Sequence, residues 1–263
     1  MDMQLRGRRA FVSGSTQGIG YAIARALLEE GVSVVINGRT ERSVETAVRK
    51  LESEVRGASV SGLAADFGES TDIQHLLASL GSIDILVNNV GLFEVKSFTE
   101  ISDEDWVHYV NINLMSSVRL SRSLLPAMVG AGWGRIIFIS NESGVNIPAD
   151  MTHYGVTKAG QIALGNGLAK LTRGTGVTVN TILGGPTYSD GVARTVEQIA
   201  RTQQLPVSEL KTAIIGANQT SLLERFTEPE EIANLAVFQA SVRSSATNGA
   251  AVRADGGVLT SLL

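Results

Sequence analysis

Ser13-Gly14-Ser15-Thr16-Gln17-Gly18-Ile19-Gly20 lies directly behind an apolar run at 10–12 and leads into Ala22, Ile23, Ala26 and Leu27, which share one face with Ile19 at helical spacing. A glycine-rich turn between a strand and a helix lets the backbone bend sharply and approach a pyrophosphate. The free amides and dipole of the helix N-terminus favour that negative charge. The spacing is G-x-x-x-G-x-G, not the commoner G-x-G-x-x-G. Gly31 is placed to stop the helix before the next apolar run, at 32–36, so the unit reads β-α-β.

Working outward, further apolar, β-branched runs recur at 60–63, 83–87, 136–139, 177–182 and 250–252, with helical patterns between them. Ser102 followed by Asp105 is a capping pattern ahead of the long segment to Leu125. The alternation predicts an α/β fold: a doubly wound, Rossmann-type parallel sheet with helices on both faces. A length of 263 residues fits one domain, 1–263. The one interruption is 184–226, where two helices intervene without a strand. We expect a helical lid there, with Tyr188, Ile199, Leu205, Ile214 and Leu222 around the substrate.

Composition narrows the chemistry. A net charge of -4 without a basic run gives no electrostatic reason to expect nucleic acid or an anionic membrane as partner. The chain has no Cys, which excludes disulfides and thiolate catalysis, and its three His lack metal-ligand spacing, so no metal is expected. The first nine residues are polar and no later stretch is apolar enough to cross a bilayer, so a cytoplasmic location is expected. A small-molecule substrate is the default.

The second strand should end near Asn37, followed by Gly38 and Arg39. An acidic side chain there would accept from the ribose diol of NAD and repel the extra phosphate of NADP. None is present, and Arg39 offers a planar, permanently charged donor suited to phosphate, so the expected cofactor is NADP(H). Asp66, just after the third strand, can accept from the adenine amino group or cap the next turn.

Asn88-Asn89-Val90-Gly91 follows the fourth strand, Asn113 lies in the next helix, and Tyr154-Gly155-Val156-Thr157-Lys158 begins the long helix to about Lys170. In this order, behind this glycine turn, the chain resembles the short-chain dehydrogenase/reductase family from Arg8 to Gly257, including Asn180 and Asp255-Gly256-Gly257. The resemblance implies hydride transfer between NADP(H) and a ketone or secondary alcohol, in a homo-oligomer, most often a tetramer. It places cofactor contacts at Gly14, Ser15, Thr16, Gln17, Gly18, Ile19, Gly20, Arg39, Asp66, Phe67, Asn89, Val90, Gly91, Tyr154, Lys158, Gly185, Pro186 and Thr187. The catalytic set it implies is Asn113, Asn141, Tyr154 and Lys158.

Free tyrosine titrates near 10, so a proton shuttle at neutral pH needs help. Lys158, one helical turn from Tyr154, is expected to supply positive charge and, in the family, to hold the nicotinamide ribose. Asn113 matches the family position that orders the lysine and a proton-relay water.

Two positions depart from the family pattern. The family places Ser thirteen residues before the Tyr, to polarise the carbonyl, and Asn141 stands there, flanked by Ser140 and Ser143. Either the Asn141 amide donates in its place, or Ser143 swings in, or no donor remains and the protein is a weak or non-redox relative such as a dehydratase or isomerase; a cofactor-sensing binding protein without turnover is a separate alternative. We favour the first, with Ser140 turned to the other side of the strand end. The second departure is Gly184, where the family has Pro, and which is expected to loosen the hinge of the lid.

Overall fold

The computed structural model describes residues 1–262. Arg9–Val12 forms β1 and Gly18–Glu29 forms α1. At the end of α1 the Gly31 amide donates to the Leu28 carbonyl (2.9 Å) and the Val32 amide to the Leu27 carbonyl (3.1 Å). This is a Schellman closure, and it needs the positive φ of +78° that Gly31 adopts. The chain then enters β2 (Ser33–Gly38), α2 (Glu41–Glu54), β3 (Val60–Ala64), α3 (Ser70–Leu80) and β4 (Ile85–Asn88).

A capping box between Ser102 and Asp105 starts α4 (Asp103–Tyr109). That helix runs on through a π-helical turn, Val110–Met115, into α5 (Ser116–Gly130). After these come β5 (Trp133–Asn141), α6 (Thr152–Leu171), β6 (Gly176–Gly184), α7 (Asp190–Gln203), α8 (Val207–Ala217), α9 (Pro229–Ala240) and β7 (Ala251–Ala254).

The strands form one sheet in the order β3-β2-β1-β4-β5-β6-β7, with every pairing parallel. Each apolar run read from the sequence is a strand. Alternation along β1 sends Ala10 and Val12 to one face, against Ile23 and Leu27 of α1 and Ile232 and Ala236 of α9. Phe11 goes to the other face, with Ile73 of α3, Leu120 and Leu124 of α5, and Ala169 of α6. Burial on both sides explains why the strands read as continuous apolar runs. Each fully buried Leu or Ile contributes about 1.5–3 kcal/mol. The order reverses between β1 and β4, which opens the crevice at their carboxyl ends where ligands of such sheets bind.

Two expectations about 184–226 change. Gly184 is not a hinge: as the last residue of β6 it is paired with Asn141 on one side and Ala254 on the other. Ile199, Leu205, Ile214 and Leu222 are exposed, Leu222 at 82%, and Ile199 lines a surface pocket formed with Thr195, Gln198, Thr202 and Gln203 of α7. The apolar seam of α7 and α8 is used to hold the two helices together through Val196, Ala200 and Leu210. Of the five named residues only Tyr188 joins that cluster, its ring tilted at 58° to that of Phe226 (5.5 Å between centroids) with the Lys211 ammonium 3.5 Å from its ring centre. Among the described residues, no helix is long and apolar enough to cross a membrane.

Candidate active site

The glycine turn is braced from two sides. Asn37 accepts from the Gly14 amide (3.1 Å) and donates to the Leu63 carbonyl (3.0 Å). Asn89 donates to the carbonyls of Ser13 (3.0 Å) and Gly14 (2.9 Å). Ser15 is buried, its hydroxyl held by the Val12 carbonyl at 2.6 Å, and Val90 packs against Gly14. A Cβ at Gly20 would lie 2.4 Å from the Asn89 amide nitrogen and 2.5 Å from the Gly14 carbonyl oxygen. The turn is therefore a cradle that only glycine permits, and it fits a dinucleotide pyrophosphate. Ile19, at the start of α1, keeps its side chain against the core.

Around this cradle, Thr16 faces Gly38, where a Cβ would come within 2.5 Å of the Thr16 methyl. Arg39 is exposed and makes no ion pair among the described residues. Asp66 accepts from the Gly68 amide at 2.8 Å, the turn-capping alternative. The Phe67 side chain is buried in the core, which leaves its main chain to meet a ligand. Helix α7 leans across the turn: Asp190 accepts from the Gly18 amide (2.6 Å), and Arg194 donates to Gln17 (3.2 Å). Gly185 packs against the Asp255 backbone, the Pro186 carbonyl accepts from the Thr227 amide (2.8 Å), and the Thr187 and Thr227 hydroxyls meet at 2.9 Å.

Beyond the cradle the structure brings Asn113, Asn141, Tyr154 and Lys158 together. The Asn141 amide, at the tip of β5, donates to the Tyr154 hydroxyl at 2.6 Å, and its carbonyl oxygen is buried without a partner. Lys158 is buried and donates to the Ile139 carbonyl (2.9 Å) and the Gln161 side chain (3.2 Å). Its Nζ lies 5.7 Å from the Tyr154 ring centre, so it reaches the phenol through its field, not through a hydrogen bond. A Cβ on Gly91 would sit 3.4 Å from that Nζ, so glycine keeps the approach to the ammonium open. Asn113, in the π turn, clasps the Leu92 backbone with both amide groups (2.9 and 3.0 Å) and donates to Thr157 (3.1 Å).

The flanking serines are engaged elsewhere. Ser140 donates to the Lys158 carbonyl at 3.0 Å and ties β5 to α6. Ser143 donates to Glu142 at 3.3 Å and not to Tyr154. Asn180 braces β6 against the segment before β7 through Thr247 and Ala250.

Burial, reinforced by the Glu142 carboxylate and only partly offset by the Asn141 hydrogen bond, pushes the Tyr154 phenol above its ordinary range. Burial pulls Lys158 down to about 8, against the opposing pull of Glu142. The expected lowering of the phenol by Lys158 does not emerge: desolvation dominates, and the group that opposes it is the Asn141 amide.

Three neighbours were not legible as site residues. Phe93 sets its ring edge toward Tyr154, 6.3 Å between centroids, and the only signal was an aromatic in the irregular stretch after Gly91. Gln161 is one turn beyond Lys158 and looks like an ordinary helix residue. Glu142, next to Asn141, has a buried oxygen without a partner, and burial pushes it up to about 7.

The sign of that last shift gives a prediction. Between 4.5 and about 7 the folded state holds a proton that the unfolded state has lost, so stability falls as pH rises through this window. Glu142→Gln removes the penalty, which amounts to at most about 3 kcal/mol above pH 7. Urea melts should show the variant more stable than wild type at pH 8 and equal to it at pH 4.5. An equal effect at both pH values would refute the burial account.

A glycine cradle at the switch point of a parallel sheet, with a Tyr-Lys pair at its mouth, defines a nicotinamide-dependent oxidoreductase. The short chain dehydrogenase family profile matches residues 8–200. Over its whole length the chain is 41% identical to the full length of the uncharacterized oxidoreductase YvrD of Bacillus subtilis. It is 32% identical to D-beta-hydroxybutyrate dehydrogenase of Cupriavidus necator, covering 96% of this chain and 98% of the relative. L-sorbose reductase of Gluconobacter frateurii, solved with NADPH and L-sorbose, superimposes with a TM-score of 0.93 at 31% identity, covering both chains completely. The chain belongs to the short-chain dehydrogenase/reductase family and is an oxidoreductase acting on a ketone and its secondary alcohol.

Proposed function

We propose that the protein is an NADP(H)-dependent reductase of a small ketone, with Tyr154 as the proton donor. The observation that carries this reading is the 2.6 Å contact from the Asn141 amide to the Tyr154 hydroxyl beside the buried Lys158. A nicotinamide held at the glycine cradle would supply the hydride.

The chain's own residues do the rest. Asn141 donates to Tyr154 Oη, which frees the phenolic proton to point at a substrate oxygen, and its second N–H can hold that oxygen as negative charge develops. A phenol raised above its ordinary range keeps its proton at neutral pH, the state needed for donation to the alkoxide. Lys158 stabilises the phenolate left behind, and Asn113 holds the loop at Leu92 against α6 through Thr157. Phe93 borders the substrate beside Tyr154.

NADP(H) selectivity rests on Arg39 and on the absence of an acidic side chain at the end of β2, where a Cβ on Gly38 would press on the Thr16 methyl. The NADPH bound by L-sorbose reductase supports the same choice. Hydroxybutyrate and sorbose, from the names of the relatives, both present the oxygen function on a short carbon chain. Helices α7 and α8 act as the lid within one domain, and the protein works as a cytoplasmic homo-oligomer, a tetramer by family resemblance.

The test follows NADPH absorbance against a panel of small ketones, with cofactor affinities measured separately. Removing the Arg39 charge with Arg39→Ala should weaken NADPH by about 10- to 100-fold, the range of one charge-assisted hydrogen bond, and spare NADH. Equal affinity of the wild type for both cofactors would sink the assignment.

A further inference from the structure

Lys158 is the most deeply placed charge of the site, and its surroundings contain one polar group that the reaction scheme has not used. Gln161 is completely buried on α6, one turn beyond Lys158. Its Nε2 donates to the Asn113 backbone carbonyl at 2.8 Å and to the Ser117 hydroxyl at 3.2 Å, while its Oε1 accepts from Lys158 Nζ at 3.2 Å. Both ends of the amide are therefore satisfied, one by the π turn and one by the ammonium. A buried amide held at both ends has a single orientation, with its oxygen toward Lys158.

We propose that Gln161 is a positioning residue for the reaction, a fixed bridge from the π turn to Lys158 that sets where the ammonium sits and how firmly it keeps its charge. The inference rests on the proposed roles of Tyr154 and Lys158. The chemistry follows from the acceptor. An amide oxygen aimed at Nζ stabilises the ammonium over the amine, working against the desolvation that pulls Lys158 down. An amide does not itself gain or lose a proton near neutral pH, so this link holds charge in place and carries no proton between Asn113 and Lys158.

The other charged and titratable groups around Lys158 are few. Tyr154 lies on its own helix, and Glu142 lies on the turn after β5, itself affected by Asp255 after β7. The π turn and α5 present Asn113 and Ser117, and the loop after β4 presents Gly91, none of which titrates. The β5 contact is a backbone carbonyl.

Two variants pull the ammonium in opposite directions. Gln161→Met keeps the length and apolar bulk and deletes all three hydrogen bonds. Gln161→Glu keeps an acceptor toward Nζ and adds negative charge. The alkaline limb of kcat, where Lys158 loses its proton, should move down by about one pH unit in Gln161→Met, the equivalent of one hydrogen bond. In Gln161→Glu it should move up. Titration of isotope-labelled lysine by NMR in the cofactor-free protein, with Lys158 assigned by its loss in Lys158→Met, should show the same two shifts. A residue that merely fills space would lower kcat in both variants without separating the limbs.

If neither limb nor lysine titration moves, or both variants move the same way, while Tyr154→Phe is inactive, the bridge proposal is wrong and the function stands. If Tyr154→Phe is active, the reading beneath the proposal fails, and the lysine titration still decides whether Gln161 holds the ammonium. Should Gln161→Met fail to fold, Gln161→Glu with the NMR titration decides alone.

Discussion

Tyr154→Phe should lower kcat by about 10²–10⁴-fold, the usual worth of a positioned proton donor, while NADPH binds almost as before. The substitution keeps the ring, its edge contact with Phe93 and its place on α6, and removes only the hydroxyl that meets Asn141. The Asn141 amide then loses its acceptor, a cost to be separated from chemistry by checking the melting temperature of the variant. Single-turnover measurements are the proper readout, because product release can hide a chemical defect. Near wild-type rates under those conditions would remove Tyr154 from the mechanism.

The second large effect is expected at Asn141. Losing a donor aimed at a developing oxyanion costs about 10²–10³-fold in turnover, and Asn141→Ala should fall in that range. Ser143→Ala should be nearly silent, since that hydroxyl is occupied with Glu142 and the Asn141 contact survives its removal. Measuring both with the same ketone decides between the two donors. A large loss for Ser143→Ala with an indifferent Asn141→Ala would transfer the role to the serine.

The sheet was readable because a strand buried on both faces writes itself as an apolar run, and β1, β2 and β4 do so plainly. The ends of β5 were less visible. Trp133, Gly134 and Arg135 do not look like strand, yet Arg135 is buried there, donating to the carbonyls of Gly134, Gly176 and Ser241. The residues that assemble at the candidate site were legible because the glycine turn and the Tyr-Lys spacing are local. What surrounds them was not, because Glu142, Gln161 and Phe93 matter only through tertiary neighbours. The 184–226 segment shows the same limit: its helices were legible, but which of their apolar residues bind each other and which face water is decided by packing that composition does not encode.

The π turn at Val110–Met115 carries a consequence for chain length. Its i→i+5 hydrogen bonds span one residue more than the i→i+4 bonds of an α-helix, and each residue turns an α-helix by about 100°. Between the capping box at Ser102 and Ser117, substitutions leave that count intact, whereas loss of a single residue would restore the regular ladder and swing the Asn113 carbonyl and side chain away from α6. The stretch is thus constrained in its number of residues more strictly than in their identity.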